Sequence, residues 1–518
     1  MKLNNKKWLL SIILFSILIR IPYFNCPLFM DEGEYAYQAY LWLNEGINFY
    51  KSHFFNMLPG FPLIYAFIFK TFGPKAPSLR FFLAIWNAAT VFFIYLIAKR
   101  LTNESIALIS SFFYACFSAL PLIRGNIGKE IFMLLPLTIS LYFYILYLYN
   151  DNLKRYALFL SGFFSGLAIV FKQSCLPPCA FFLIFICLKS PNKIKDIFIY
   201  LLGLILPIFS CFIYGSFSLG IKDFFYYTIF CRLNNASIFC GPWWYHFLRF
   251  LRSIIKSGII YLIILLILGI RFIKKEFVFY FLIFYLFFNF LGISLGGSWY
   301  DHYYAQLLPP LCILLGWEIF YLLQSKKMIN ILVIFILLIL PFFQYVLLSL
   351  HFGGFCCKSF YPECNLTPKI VSYLEKNCNN ATEIYAFLYS DPSIYFLSKK
   401  KSALPYLFKS ALLFYPEHIK EFTKLIKSSK RPDYLITYSE AESIIIANRV
   451  CELKGNIFDK IQTVLYGDFR PFCKDYPIQI SLIKQVFKTI PKYYMQVDNI
   501  SFRDTITNIW KKKTEEKN

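Results

Sequence analysis

Charge is scarce in this sequence. Asp, Glu, Lys and Arg make up 16% of its 518 residues, against about 25% in an ordinary soluble domain, which excludes a single water-soluble globule. Acid is scarcer still, with 29 acidic residues to 53 basic ones, and only 12 of the acids precede residue 351. Histidine is reduced to 5 residues, and the 15 cysteines are too scattered for a zinc pattern, so no metal site is expected from spacing. No half-to-half repeat of the kind that marks many transporters is visible. What the chain has instead is apolar bulk: 58% hydrophobic and 21% aromatic residues.

That bulk is arranged in uninterrupted stretches near the length that crosses a bilayer. About eleven spans are expected, at 8–24, 79–98, 106–123, 131–149, 157–171, 176–188, 197–215, 259–270, 277–294, 305–323 and 331–350. The first begins with Lys2, Lys6 and Lys7 like a signal peptide, but no small-residue cleavage site follows, and it reads as a retained span. The fifth and sixth are short and join at Lys172-Gln173-Ser174, a hairpin turning near one membrane face. Basic clusters occupy every second connection, which the positive-inside bias places in the cytoplasm. The alternate connections, 25–78, 124–130, 172–175, 216–256 and 296–304, then face outward, and the odd span count carries the tail out as well.

Two domains follow: a membrane domain over 1–350, with a first external loop at 25–78, and an external soluble domain over 351–518. In the tail, "EIYAFLY" and "DYLITY" read as buried strands and "PEHIKEFTKLIKSS" as an amphipathic helix, an α/β domain. The net charge of +24 is mostly flanking charge on spans, which suits anionic headgroups and phosphates rather than nucleic acid. External cysteines, among them Cys231, Cys240, Cys356, Cys357, Cys364, Cys378, Cys451 and Cys473, are disulfide candidates with no deducible pairing.

The scarce acid is concentrated. Asp31, Glu32, Glu34 and Glu45 fall within fifteen positions just after the first span, in "MDEGEYAYQAYLWLNE". If Asp31 opens a short interfacial helix, Glu34 shares its face one turn on while Glu32 points elsewhere. One reading is a solvated loop with Asp31 as helix cap. The other is a carboxylate at the membrane surface acting as general base toward a hydroxyl or amine.

"MDEGEYAYQAYLWLNEGINFY" followed by "MLPGFPLIYAFIFKTFGPKAPSLRFFLAIWN" resembles the first external loop and second span of the bacterial and archaeal relatives of protein O-mannosyltransferases and lipid A aminoarabinose transferases. These belong to the GT-C superfamily of membrane glycosyltransferases. "RGNIGKEIFMLLP", "LSGFFSGLAIVFKQSCLPP" and "SWYDHYYAQLLPPL" are similar to later signatures of that family, in the same order, and "DPSIYFLSKK" and "RPDYLIT" look like its external domain. The resemblance implies an α-helical polytopic GT-C fold with a C-terminal external α/β domain in the cell membrane. It implies transfer of a sugar from a polyprenyl-phosphate carrier to a lipid, glycan or protein acceptor at the external face, with inversion. By that resemblance Asp31 matches the family's catalytic aspartate and would be the general base, Glu32 is a second catalytic candidate, and Glu34 and Tyr35 are candidates for the acceptor or sugar site. No cofactor is certain, and a divalent ion recruited by Asp31 and Glu34 stays open.

For the lipid phosphate the external cations near span ends are Lys172, Arg124, Lys129 and Arg80. Each has a plainer reading: a snorkelling lysine, loop charge pairing with Glu130, or an anchor for the second span. In "GGSWYDHYYAQLLPP", Asp301, His302 and Tyr303 are candidates for sugar contact, though Trp and Tyr at a boundary also form the ordinary aromatic belt. "GPWWYHFLRFLRS" suggests an interfacial helix with Arg249 and Arg252 on the headgroups. One departure stands out, since "NMLPG" puts Met57 and Leu58 where many relatives carry a lysine; Lys51 and His53 lie nearby. The competing function is a transporter or flippase for a lipid-linked saccharide, which calls for charge near mid-span.

Overall fold

The computed structural model describes residues 5–26, 28, 30–52, 57–119, 128–149, 154–230, 243–270, 276–297, 299–324, 339, 363–379, 382–389, 391–407, 412, 416–444, 476–502 and 505–513. Short turns aside, the membrane half contains α1 (Asn5–Leu18), α2 (Asp31–Glu45), α3 (Gly60–Phe72), α4 (Ala76–Leu101), α5 (Glu104–Phe117), α6 (Lys129–Tyr149), α7 (Lys154–Phe171), α8 (Leu176–Lys189), α9 (Lys193–Leu219), α10 (Trp243–Lys256), α11 (Ile259–Gly269), α12 (Phe277–Ser294) and α13 (Leu308–Gln324).

Among the described residues six helices are long and apolar enough to cross a membrane: α4, α6, α7, α9, α12 and the run Asp301–Gln324. A seventh is added if α10 and α11, bent by 84°, form one broken span, and α3, α5 and Gln173–Lys189 are shorter apolar helices. The expected span at 277–294 coincides with α12, whereas 331–350 lies, but for Ile339, outside the described residues, as does 120–123 of the third span. The expected hairpin turn is a single extended residue, Lys172, followed by a 3-10 turn over Gln173–Cys175. The stretch 25–78, expected as a loop, holds two helices, α2 and α3.

Local chemistry explains the breaks. Gly46 closes α2 in the left-handed region at φ 66°, and Asn103 caps α5 by accepting from the Ile106 amide at 3.0 Å. Gly162 and Gly166 of α7 lie so close to the α9 backbone that any Cβ would overlap the carbonyls of Tyr200 and Leu204. This small-residue seam is how helices approach in lipid, where apolar side chains gain nothing from one another over lipid tails.

The tail contains α14 (Glu363–Asn377), β1 (Glu383–Phe387), α15 (Ser393–Ser398), β2 (Lys401–Ser402), α16 (Pro416–Lys427), β3 (Tyr434–Tyr438), α17 (Tyr476–Tyr493), β4 (Tyr494–Phe502) and β5 (Thr505–Lys512). Its five-stranded sheet has the order β2-β1-β3-β5-β4. β1 pairs in parallel with β2 and β3, while β5 runs antiparallel to β3 and β4. Strand alternation sends Tyr385, Phe387 and Leu435 to a core with Phe422, Ile483 and Val486 of α16 and α17. The opposite face, with Ile384, Ala386 and Ile436, belongs to the same apolar core as the membrane helices. The tail is therefore packed onto the bundle through one sheet face and α15.

Candidate active site

The acidic helix α2 divides into three faces by its 100° step. Residues 30, 33, 37 and 40 meet the tail: the Met30 amide donates to Asp391, Gly33 abuts Ser393, and the Tyr37 and Tyr40 rings pack on Tyr395 and Phe396 at 5.4 and 6.1 Å. Residues 32, 35, 36 and 39 point into the bundle and are buried, and 31, 34 and 38 form the acidic face between. Three carboxylates in the first turn suit the positive end of the helix dipole.

Burial sorts these acids. Glu32 and Glu34 are only 1% and 7% exposed, which excludes a solvated loop for them, while Asp31 is partly exposed. The Arg80 guanidinium, at the start of α4, grips Glu32 with two bonds of 3.0 and 2.7 Å, the bidentate form that fixes direction as well as distance. Arg80 is thus held by a carboxylate here rather than presented singly. Tyr35 is buried, donates to Met57 Sδ at 3.5 Å and packs on Phe61 and Tyr65. Met57, in the position where a lysine is expected, receives the Lys129 ammonium at 2.8 Å, and the same ammonium stands 5.4 Å from the Tyr35 ring centre.

Glu130 forms a second centre. It opens α6 at 4% exposure, Lys172 donates to its Oε1 at 2.6 Å, and His302 Nε2 lies 3.7 Å from the same oxygen. The Lys172 ammonium also sits 3.4 Å from the centre of the Tyr303 ring, a cation–π contact. A lysine held this way, with its side chain 15% exposed, is not snorkelling to water. The turn carrying it is pinned by Ser174 and Gln306, which exchange hydrogen bonds of 2.9 and 3.1 Å.

α10 closes over the 299–303 segment. Ser253 donates to the Trp299 carbonyl, Lys256 pairs with Asp301 at 3.2 Å, and Arg249 stacks 5.5 Å from the Tyr300 ring. Arg249 is 5% exposed and donates to the Tyr245 hydroxyl at 2.7 Å, so the expectation that it lies on the headgroups is corrected: it faces inward, where an aromatic and a hydroxyl receive it. Arg124, the Lys51 side chain and His53 lie outside the described residues. Sequence reading expected a partner for Glu130 in Arg124 or Lys129; Lys172 donates to it from 42 residues away. Lys256 and Asp391 were not singled out at all, since nothing in local spacing connects them with their partners.

The described architecture is thus a membrane bundle with an acidic helix, α2, near its start and an α/β tail packed onto it. Residues 57–214, from α3 through most of α9, match the family model described as dolichyl-phosphate-mannose-protein mannosyltransferase. Among solved structures the chain is similar to ArnT from Cupriavidus metallidurans bound to undecaprenyl phosphate, with a TM-score of 0.59 at 12% identity over 84% of this chain and 94% of that one. It is also similar to the archaeal oligosaccharyltransferase AglB from Archaeoglobus fulgidus in complex with an inhibitory peptide and a dolichol-phosphate, with a TM-score of 0.55 at 11% identity, over 86% of this chain and 71% of that one. A search of curated proteins finds no match. The superfamily resemblance read from the sequence motifs is thereby upheld.

Proposed function

We propose that the protein transfers a sugar from a polyprenyl-phosphate carrier to a lipid, glycan or protein acceptor at the external face of the cell membrane, with Asp31 as general base. One observation carries this reading: the N-terminus of α2, Arg80, Lys129–Glu130, Lys172 and Asp301–Tyr303 come from five separate stretches and are linked at one end of the bundle. The undecaprenyl phosphate bound to ArnT and the dolichol-phosphate bound to AglB support a lipid-phosphate donor. Cys26, at the start of the first loop, is disulfide-bonded, which supports an oxidising compartment for that side.

In this mechanism the acceptor's O–H or N–H proton passes to Asp31 as its lone pair attacks sugar C1. The C1–O bond to phosphate breaks, both electrons stay on that oxygen, and the polyprenyl phosphate leaves as an anion with inversion at C1. A stable leaving anion needs cations rather than a strong acid. The Lys172 ammonium, held on Glu130 Oε1, is the group assigned to the leaving phosphate, and His302 lies against the same carboxylate oxygen. Glu32 keeps the first turn of α2 against α4 through Arg80. Asp301, Tyr303 and Glu34 are the groups assigned to sugar and acceptor, while Tyr35, fully buried on Phe61 and Tyr65, backs the Lys129 ammonium.

The test uses purified protein and Asp31→Asn, matched for folding, incubated with radiolabelled polyprenyl-phosphate sugars and an extract of host lipids, glycans and proteins. Loss of label from one carrier with the parent but not the variant supports the reading and names the sugar. Equal loss from both removes Asp31 as the base, and no loss across a broad panel favours transport of a lipid-linked saccharide. Repeating the assay with a chelator tells whether a divalent ion takes part.

A further inference from the structure

We propose that Asp391, in the tail, is a positioning residue for Asp31, acting through the backbone of Met30; this rests on the reading of Asp31 as the base. Met30 immediately precedes the acid and is held at φ 47°, ψ −119°, a left-handed conformation that a residue with a Cβ keeps only where the surroundings impose it. The imposing group is visible. The Met30 amide donates to Asp391 Oδ1 at 3.1 Å across 361 residues of chain.

Asp391 is itself locked. It is 2% exposed, and its oxygens take the Ser393 amide at 3.1 Å, the Ser393 hydroxyl at 2.7 Å and the Thr367 hydroxyl at 2.7 Å. A buried carboxylate satisfied by several fixed donors cannot rotate without leaving one of them unpaired. One turn further along α2, Gly33 rests on the same tail segment: a Cβ there would lie 2.5 Å from Ser393 Cα and Cβ. A turn beyond that, the Ser402 amide donates to the Tyr37 hydroxyl at 2.9 Å. Residues 30, 33 and 37 form one stripe of the helix, and every contact named on it comes from the tail. The tail thereby sets the rotation of α2 about its axis, and with it the direction of Asp31.

A misplacement of about 1 Å costs up to roughly 100-fold in rate without loss of binding, so the readout is kcat against KM. The full-length parent, Asp391→Ala, Asp391→Asn, Gly33→Ala and Thr367→Val are assayed with the labelled donor that the parent discharges, with melting temperatures measured alongside. Asp391→Ala and Gly33→Ala are expected to lower kcat about 10- to 100-fold at unchanged KM. Asp391→Asn, which keeps an acceptor for Met30, is expected to return to within about threefold of the parent. Thr367→Val, which removes one of the donors that fix Asp391, is expected to lower kcat by less than Asp391→Ala does, again at unchanged KM. In the Asp31→Asn background, Asp391→Ala causes no further loss. Parental kcat in Asp391→Ala, a change in KM instead of kcat, or a full additional loss in the Asp31→Asn background would each overturn the proposal. Parental activity in Asp31→Asn alone is a separate outcome, and it overturns the base assignment rather than the Asp391 link to Met30.

Discussion

α4 carries an ion pair at each end, about 28 Å apart along its axis at 1.5 Å per residue, and the two are unlike in every respect. At its start, Arg80 reaches Glu32 across 48 residues with both partners largely buried. At its finish, Lys99 reaches Glu104 across 5 residues, with the side chains 49% and 35% exposed. The first kind requires desolvation of both groups and is conserved energetically only if the geometry is good; the second forms wherever two long side chains meet at a surface. Long-range, buried pairing therefore marks the end where the molecule fixes positions, and short-range, exposed pairing marks the end where it merely meets water.

The contrast can be broken from its strong side first. Asp31→Asn is expected to reduce transfer by about 10²–10⁴, the usual contribution of a general base, with the melting temperature unchanged because this carboxylate is partly exposed. Lys172→Met leaves Glu130 buried without its ammonium and is expected to cost about 3–5 kcal/mol of stability as well as activity. Combining it with Glu130→Leu sharpens the point: thermal stability returns and transfer does not. Arg80→Leu is expected to slow transfer roughly tenfold by releasing the first turn of α2, and the loss should appear in kcat. The Lys99→Ala, Glu104→Ala double variant is expected to shift neither transfer nor melting temperature measurably, which would be checked in the same two assays.

Much of the bundle was legible because a bilayer imposes one length on apolar helices, as at 277–294, where expectation and α12 coincide. The tail's "EIYAFLY", "DYLITY" and "PEHIKEFTKLIKSS" likewise appear as β1, β3 and α16. α3 escaped notice because its 13 mostly apolar residues are bracketed by Pro59-Gly60 and Gly73-Pro74, pairs that punctuate loops and left the whole stretch reading as one. The β4–β5 pair escaped because "YMQVDNISF" and "TITNIWKK" are as polar as they are apolar, and pairing rather than hydrophobicity holds them. In the site, the concentration of acid could be read directly, since charge is so scarce elsewhere. Which cation meets which acid could not, because Lys172 and Glu130, or Asp391 and Met30, are joined by the folded chain and by nothing periodic in the sequence. Arg249 shows the same limit from the other side: helical spacing located its helix but not which way the helix faces.

The bond between Met30 and Asp391 also has a meaning in time. The acid helix leaves the ribosome early and its partner late, so at about 5–20 residues per second the 361 residues between them impose a wait of roughly 20–70 s. During that interval the nascent chain already owns its carboxylate but not the surface that aims it. If Asp31 is the base, a half-synthesised molecule would carry its acid unaimed, and full competence would begin only when the tail folds down onto α2.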